Sequence, residues 1–271
     1  MLYTVFMKDF LITVLKVSGE QLGAVLGFFM ALGFVLSLLQ KFTQRQYYQS
    51  IGWLGILWTA WIGTPIHEIS HWLVAKIFRH HIDYVSLFKP NYESGKLGEV
   101  GHSYNPRNLY HQIGNFFIGA APIIGGVIVL SLLFRWLLPN GIDLINKINT
   151  LSIVNWQKAL QDVVQLTKDL FSVANIHSWR FWLFVYLSFA VSSHLAPSWS
   201  DQKTMWKGFV WLALVLIIVN GILFWLKKPL ANNFTYTSLP WLVWSFWYAA
   251  VVSTIHAVVS FIFFLPFKRR H

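Results

Sequence analysis

The sequence has no cysteine and little charge, and both absences narrow the classes of protein that it can encode. Without cysteine there is no disulfide framework, no thiolate metal site and no cysteine nucleophile, so His, Asp and Glu remain as metal ligands. Only 11% of the residues are charged, against roughly 25% in an average soluble protein, and 56% are hydrophobic. This balance argues against a soluble fold and against disorder.

Acidic residues are the scarcer of the two charges. The chain has 10 Asp and Glu against 21 Lys and Arg, which gives a formal net charge of +11. The basic residues are scattered between apolar runs and form no stripe with interleaved aromatic residues, so we expect no nucleic-acid partner. We expect the positive charge to lie in loops that face anionic lipid.

Long apolar runs account for most of the chain. A membrane-spanning helix needs about 20 predominantly apolar residues, and six segments approach that length. These segments are 22–39, 51–78, 113–134, 179–197, 208–226 and 239–267. The sequence therefore predicts an all-α polytopic membrane protein, a single membrane domain over 1–271 with about six transmembrane helices in a lipid bilayer.

Three further segments are predicted to carry secondary structure between or before these helices. Residues 1–16 are predicted as an interfacial helix. The β-formers at 81–88, the turn residues at 91–95 and the run 96–104 predict a small β-hairpin. Apolar residues at helical spacing within 139–178 predict an amphipathic extracytoplasmic cap.

The membrane orientation follows from the distribution of basic residues. Counted by alternate loops, twelve of the 21 Lys and Arg lie on the side of the two termini, including Lys268, Arg269 and Arg270. Because cytoplasmic loops carry an excess of Lys and Arg, we predict an integral, multi-pass protein with both termini in the cytoplasm.

The motif H-E-x-x-H occurs at residues 67–71, inside an apolar segment. Histidines four residues apart lie on one helical face about a turn apart, so His67 and His71 can both reach one Zn²⁺. Glu68 can hold and deprotonate a water molecule on the metal. At this composition a chance match is expected roughly 0.005 times per chain. We therefore predict His67 and His71 as metal ligands and Glu68 as a catalytic base.

Two alternatives remain for this motif, a structural polar cluster and a proton relay. Ionisable residues at membrane depth cost at least about 2.5 kcal/mol each on insertion scales, and they usually line a functional path or form pairs. If the helix ends near Phe78, the rise per residue places His71 and His67 about 10 and 16 Å inside that end. The predicted site is therefore intramembrane.

His80, His81, His102 and His111 are expected to be solvated loop residues.

A hydrolytic zinc site keeps three protein ligands and one open position, so a third ligand must come from elsewhere. Pro197 should break the fourth spanning helix and return a carboxylate toward the bundle. Asp201 is the first choice and His194 the second, since both suit Zn²⁺. Asp201 could instead be an ordinary loop charge beside Lys203. Counted along the fourth spanning helix from Trp179, Asp201 falls lower in the membrane than the two histidines. The loop must therefore dip inward, or this helix must start deeper.

The sequence resembles the site-2 protease family of intramembrane zinc metalloproteases. The matching features are His67-Glu68-Ile69-Ser70-His71 in a spanning helix, the hairpin, Gly119-Ala120-Ala121-Pro122-Ile123-Ile124-Gly125-Gly126 in the next span, and the stretch from Pro197 to Asp201. The likeness covers 51–207, while 208–271 is predicted to contain two further transmembrane helices. Ser200 and Gln202 depart from the Leu and Gly that flank the family's Asp.

The resemblance implies a function. It implies hydrolysis of peptide bonds in membrane-embedded or membrane-proximal proteins and peptides, with Zn²⁺ as cofactor and Asp201 as its third ligand. His194 stands in the place of the family's Asn, which implies a catalytic role for it as an oxyanion helper. The substrate must become extended, and an edge strand of the hairpin could hold it by β-augmentation.

The competing function is a non-catalytic membrane transporter or scaffold that keeps a structural zinc or a polar cluster. A structural zinc site would be closed by four protein ligands, for example with both His194 and Asp201 bound. It would also have no use for Glu68 beside the first histidine. These two features distinguish the hypotheses.

Overall fold

The computed structural model describes residues 2–149, 156–226 and 232–267, and this part of the chain is mostly helical. The helices are α1 Leu2–Ile51, α2 Trp53–Ile77, α3 Leu109–Leu137, α4 Gly141–Asn149, α5 Trp156–Leu170, α6 Val173–Ile176, α7 Trp179–Ser192, α8 Trp199–Trp225 and α9 Asn232–Phe264. The two strands are β1 His81–Ser86 and β2 Glu99–Ser103. A 3₁₀ turn, Leu265–Phe267, follows α9, and the basic cluster at 268–270 lies outside the described residues.

Each of the six apolar runs overlaps a helix, which confirms the predicted helical class. Within the described residues two helices, α3 and α8, are long and apolar enough to cross a membrane by length and composition. The two helices differ in exposure. In the most apolar 18-residue stretch of α3, 56% is buried, whereas in that of α8 only 11% is buried. Exposed apolar surface of this extent is consistent with lipid contact. Six spans and the orientation of the termini stay predictions.

The first helix differs from its prediction. Residues 2–16 are helical as expected, but they do not form a separate interfacial helix, because α1 continues without a break to Ile51. Just after these residues α1 is held along α8: Asn220, which is fully buried, donates hydrogen bonds to Ser18 and Gln21, each over 2.9 Å. Buried amides of this kind join apolar helices where no water is present.

The predicted hairpin is confirmed. β1 and β2 pair antiparallel with Val85 opposite Val100, and an irregularity in register lies between Ile82 and Tyr84. Backbone hydrogen bonds from Lys89 and Asn91 continue the pairing beyond the strands. The turn packs against the start of α2, where the rings of Tyr92 and Trp53 meet edge to face at 5.7 Å. The hairpin therefore runs back along α2 from the end of that helix to its beginning.

The third helix lies at the centre of the bundle and packs against α2, α7 and α8. Small residues allow its close approach to α8. A Cβ added to Gly208 would meet the backbone of Phe116, and one added to Gly119 would meet the backbone of Asp201. Because neither glycine has a side chain, the two helices approach closely enough to bring the start of α8 against the middle of α3.

The segment predicted as an amphipathic cap is helical in its described parts, as α4, α5 and α6. Leu144 of α4 and Leu166 and Leu170 of α5 pack on a small apolar cluster formed with Phe134 and Phe181. Residues 150–155 lie outside the described residues. The position of this cap on the extracytoplasmic side stays a prediction.

Candidate metal centre

The two histidines of the motif lie on one face of α2 and meet at their Nε2 atoms. His67 and His71 are separated by one helical turn, and their Nε2 atoms are 3.2 Å apart. His71 is buried and His67 is half-buried. The helical spacing that the sequence predicts therefore brings two ring nitrogens to one point.

The other ring nitrogen of each histidine is held by a backbone carbonyl. Nδ1 of His67 lies 2.8 Å from the carbonyl oxygen of His194, and Nδ1 of His71 lies 2.8 Å from that of Ile118. A carbonyl oxygen can only accept, so each Nδ1 carries the hydrogen and donates it. In the neutral imidazoles both Nε2 atoms are then left with bare lone pairs. Carbonyl partners of this kind orient the histidine ligands of metal sites.

Asp201 comes to the same point from the first turn of α8. Its Oδ2 lies 3.5 Å from Nε2 of His67, and its Oδ1 lies 3.2 Å from Nε2 of His71. A capping box holds the residue: Ser198 N–H donates to Oδ2 over 2.7 Å, and Asp201 N–H donates to the Ser198 hydroxyl. The cap thus orients the carboxylate toward the two imidazoles.

When both imidazoles are neutral, the three groups converge as acceptors. The repulsion between two imidazole lone pairs and a carboxylate is relieved either by a proton on one ring or by a metal cation among them. One ligand atom from each residue lies within 4.8 Å of the others, so His67, His71 and Asp201 could hold a metal ion. Two nitrogens and one carboxylate oxygen suit Zn²⁺, and they also suit other first-row divalent metals.

The sequence predicts that Asp201 lies lower in the membrane than the two histidines, whereas in the structure its carboxylate lies beside them. α7 ends at Ser192, and residues 193–198 form a non-helical return before α8 begins at Trp199. The start of α8 lies against Gly119, in the interior of α3. The return at 193–198 thus brings Asp201 beside the two histidines, and a deeper start of the helix that begins at Trp179 stays a prediction. Lys203 does not pair with the carboxylate: its Nζ lies over the ring of Trp199, 5.4 Å from the centroid.

His194, the second choice for the third ligand, is not part of the group that could hold a metal. It contributes its backbone carbonyl to His67, and its ring is buried against Gly63 of α2. Its Nδ1 lies 3.2 Å from the Ser193 hydroxyl and 3.3 Å from the carbonyl oxygen of Ala190. Within the described part of the chain its Nε2 has no hydrogen-bond partner. A polar atom is thus available beside the site.

A cavity of about 660 Å³ opens beside this group. His67, Glu68 and His194 line it, so the motif carboxylate faces the same space as the histidine pair. Further walls come from α1, from residues 95–98 of the hairpin loop and from 196–206. Neither the wall from α1 nor the close approach of Gly98 to Glu68 follows from a motif in the sequence.

A second group of histidines lies at the end of α2, where solvated loop residues were expected. That expectation is wrong for His80, which is buried, with Nε2 3.0 Å from the His111 carbonyl and Nδ1 3.0 Å from Nδ1 of His102. Burial lowers the pKa of His80. Burial, followed by the charge of His80, lowers the pKa of His102 to about 4. These contacts fasten the base of the hairpin to α2 and α3.

Comparison of the chain with protein-family models, with curated proteins and with solved structures found no match.

Proposed function

We propose that the protein is an integral, multi-pass membrane metalloprotease that uses Zn²⁺. The observation that carries the proposal is the convergence of His67, His71 and Asp201 next to a cavity that His67 and Glu68 line. A hydrolytic site needs three protein ligands, a carboxylate that accepts a proton and room for a substrate. The described residues offer each of these, in a chain that exposes many large apolar side chains.

The proposed chemistry divides between the metal and the side chains. Bound Zn²⁺ supplies a Lewis acid that polarises a peptide carbonyl and makes water more acidic. Glu68 takes the proton of the attacking water and returns it to the leaving amine. His194 donates a hydrogen bond from Nε2, which has no partner among the described residues, to the substrate's carbonyl oxygen. Its burial holds the donor in place.

The proposed substrate is a membrane-embedded or membrane-proximal protein or peptide. Because a helix protects its scissile carbonyl, the substrate must lie extended in the cavity, and the hairpin offers an edge for it. The side chains of Tyr84 and Val85 on β1 are exposed. The lipid bilayer surrounds the helices, with both termini in the cytoplasm as the basic residues predict.

The number of ligands favours catalysis over a structural metal. A structural zinc site is closed by four protein ligands. The group that could hold a metal has three members among the described residues. The ring of His194 does not belong to this group, and its backbone carbonyl accepts a hydrogen bond from His67. The non-catalytic alternative, a transporter or scaffold, therefore has less support from this geometry.

The experiment compares the wild type with Glu68→Gln, each purified in detergent micelles. Metal content is measured by mass spectrometry, and cleavage is measured with a panel of quenched fluorescent transmembrane peptides. We expect about one zinc per chain in both proteins, cleavage by the wild type that a chelator stops and Zn²⁺ restores, and a loss of at least about 10²-fold in rate in the variant. Glu93→Gln, in the exposed hairpin turn, is the matched control.

Two outcomes would contradict the proposal. Cleavage by Glu68→Gln at the wild-type rate would show that this carboxylate is not the base. A zinc-loaded wild type that cleaves none of the peptides would favour the transporter or scaffold.

A further inference from the structure

The cavity beside the metal centre is bounded on one side by a single face of α1, and this face changes from apolar to polar along the helix. Its members recur at three- and four-residue spacing, so they point the same way. The apolar end consists of Phe29, Met30, Gly33 and Phe34, and the other end, apart from Leu38, is polar, with Ser37, Gln40, Lys41 and Gln44. The wall thus offers an apolar surface at one end and amide, hydroxyl and ammonium groups at the other.

The middle of this face lies against the segment that carries His194. A Cβ added to Gly33 would stand 3.6 Å from Cγ of Pro197, and Oε1 of Gln40 accepts a hydrogen bond from the N–H of Ala196 over 3.2 Å. Gly33 and Gln40 are about 10 Å apart along the helix. The cavity therefore extends past the catalytic groups in both directions, with the apolar end on one side and Lys41 on the other.

Lys41 is the only Lys or Arg that lines the cavity among the described residues. No described ion pair includes it, and its side chain is exposed. Glu68 is the only Asp or Glu that lines the same cavity. The ammonium group of Lys41 is therefore available to bind a negatively charged group of a ligand in this cavity.

We propose that Lys41 determines the specificity of the proposed protease by binding a carboxylate of the substrate. The substrate is an extended peptide with apolar residues on one side of the scissile bond and an acidic group a few residues away on the other. The inference rests on the proposed function. Lys41 positions and selects the substrate and takes no part in the chemistry. The carboxylate belongs to an Asp or Glu side chain or to the C-terminus of the peptide.

A neighbouring residue provides a matched control. Arg45 lies one turn further along α1 and is exposed, but it does not line the cavity. A general effect of positive charge on α1, such as attraction of anionic detergent or lipid, would act through both residues. Selection inside the cavity would act through Lys41 alone.

The test uses zinc-loaded full-length protein in uncharged detergent micelles. Quenched peptides share one apolar segment and one scissile bond, and an Asp, an Asn or a Lys is moved along the flanking residues on either side. One series has an amidated C-terminus and one has a free carboxylate, which separates the two sources of negative charge. The readout is kcat/KM for each peptide at low and at physiological salt.

We expect the wild type to prefer Asp over Asn by about three- to tenfold on one side only, with a smaller ratio at higher salt. Lys41→Gln should lose the preference, so that the Asp and Asn peptides are cleaved with equal kcat/KM. Lys41→Glu should reverse it in favour of the Lys peptide, and Arg45→Glu should leave it unchanged. A preference that survives in Lys41→Glu, or that Arg45→Glu removes equally, would overturn the inference.

A binding measurement separates this inference from the proposed function. The Kd of the same peptides for the Glu68→Gln protein is measured by fluorescence anisotropy, which requires no cleavage. A preference for Asp in Kd that disappears in the Lys41→Gln, Glu68→Gln double variant supports the carboxylate site even if the wild type cleaves nothing. Equal Kd values for the Asp, Asn and Lys peptides would overturn the inference even if the wild type cleaves them.

Discussion

Gly98, just before β2, lies directly against Glu68 of α2. A Cβ added to Gly98 would stand 2.9 Å from Cγ of Glu68, and also 2.8 Å from the carbonyl oxygen of Leu87 and 2.9 Å from that of Ser86. These distances are shorter than van der Waals contact, so no other residue fits without a shift. The hairpin thus passes over the proposed catalytic carboxylate at a position where its backbone has no side chain.

This contact predicts the effect of a single added methyl group. Gly98→Ala should displace either the hairpin or the side chain of Glu68, and it should lower kcat while leaving zinc bound, because no ligand is moved. We expect a loss of at least about tenfold, since a small misplacement of a catalytic group is costly. Gly19→Ala is the control, because nothing lies within 4 Å of the added atom there. An unchanged kcat in Gly98→Ala would show that Glu68 does not depend on this contact.

The roles of Asp201 and His194 can be separated by metal content. Asp201→Ala removes one of the three converging groups, so it should lose zinc under mild chelation. His194→Ala keeps the backbone carbonyl that holds His67 and should keep zinc, with a loss of about 10²–10³ in kcat. Metal analysis and turnover are measured on the same preparations. If His194→Ala loses the metal and Asp201→Ala retains it, the two roles are exchanged.

The packing of α8 on α3 should control metal binding from a distance. In Gly119→Ala the added Cβ would meet the backbone of Asp201 and Met205, so α8 must move away from the two histidines. We expect faster zinc loss to a chelator and a destabilisation of about 1–3 kcal/mol. The control is Gly221→Ala, also close to another helix, where the nearest atom is Cζ of Phe10 at 3.5 Å. Equal zinc retention by the two variants would contradict the prediction.

The contact between His80 and His102 should make the hairpin sensitive to acid. The pKa of His102 is lowered to about 4 in the folded protein, whereas an unfolded histidine titrates near its ordinary value of 6.5. Between these two values the unfolded chain binds more protons, so the stability of the fold decreases as pH falls through that range. The titratable groups that act on His102 are His80, the nearby Asp83, and His71 and Asp201 of the metal centre.

The measurement is the Tm of the protein in micelles between pH 7.5 and 4.5. His102→Gln should show a smaller fall in Tm than the wild type, because it has no ring to protonate. His81→Gln should behave like the wild type, since that side chain is 81% exposed. Parallel Tm curves for the wild type and His102→Gln would show that this pair does not set the acid sensitivity.

The proposed substrate strand can be tested in the hairpin itself. Proline in place of Tyr84 or Val85 removes a backbone donor from β1, so it should slow turnover and leave zinc bound. A side-chain change at the same exposed position, Val85→Thr, keeps the donor and serves as the control. Equal turnover of the proline and threonine variants would argue that the substrate is held elsewhere.

Local features of the sequence were sufficient to predict most of the elements. The apolar runs predict helices because a long uncharged segment satisfies its own backbone hydrogen bonds. The alternation around Tyr84, the turn ending at Gly95 and the spacing of His67 and His71 predict a hairpin and a ligand pair by short-range geometry alone. Gly95 has a φ of 68°, a conformation that glycine adopts readily.

Other features depend on contacts between residues far apart in the chain. Asp201 meets the histidines because Gly119 and Gly208 let α8 lie close to α3, and no spacing within either helix contains that information. The same holds for Lys41 on the cavity wall and for Gly98 over Glu68. Periodicity predicts which side of an element is apolar, but it does not predict which partner covers that side. Only the packing of the helices and the hairpin against one another, which is set by shape and by the absence of specific side chains, brings these residues together.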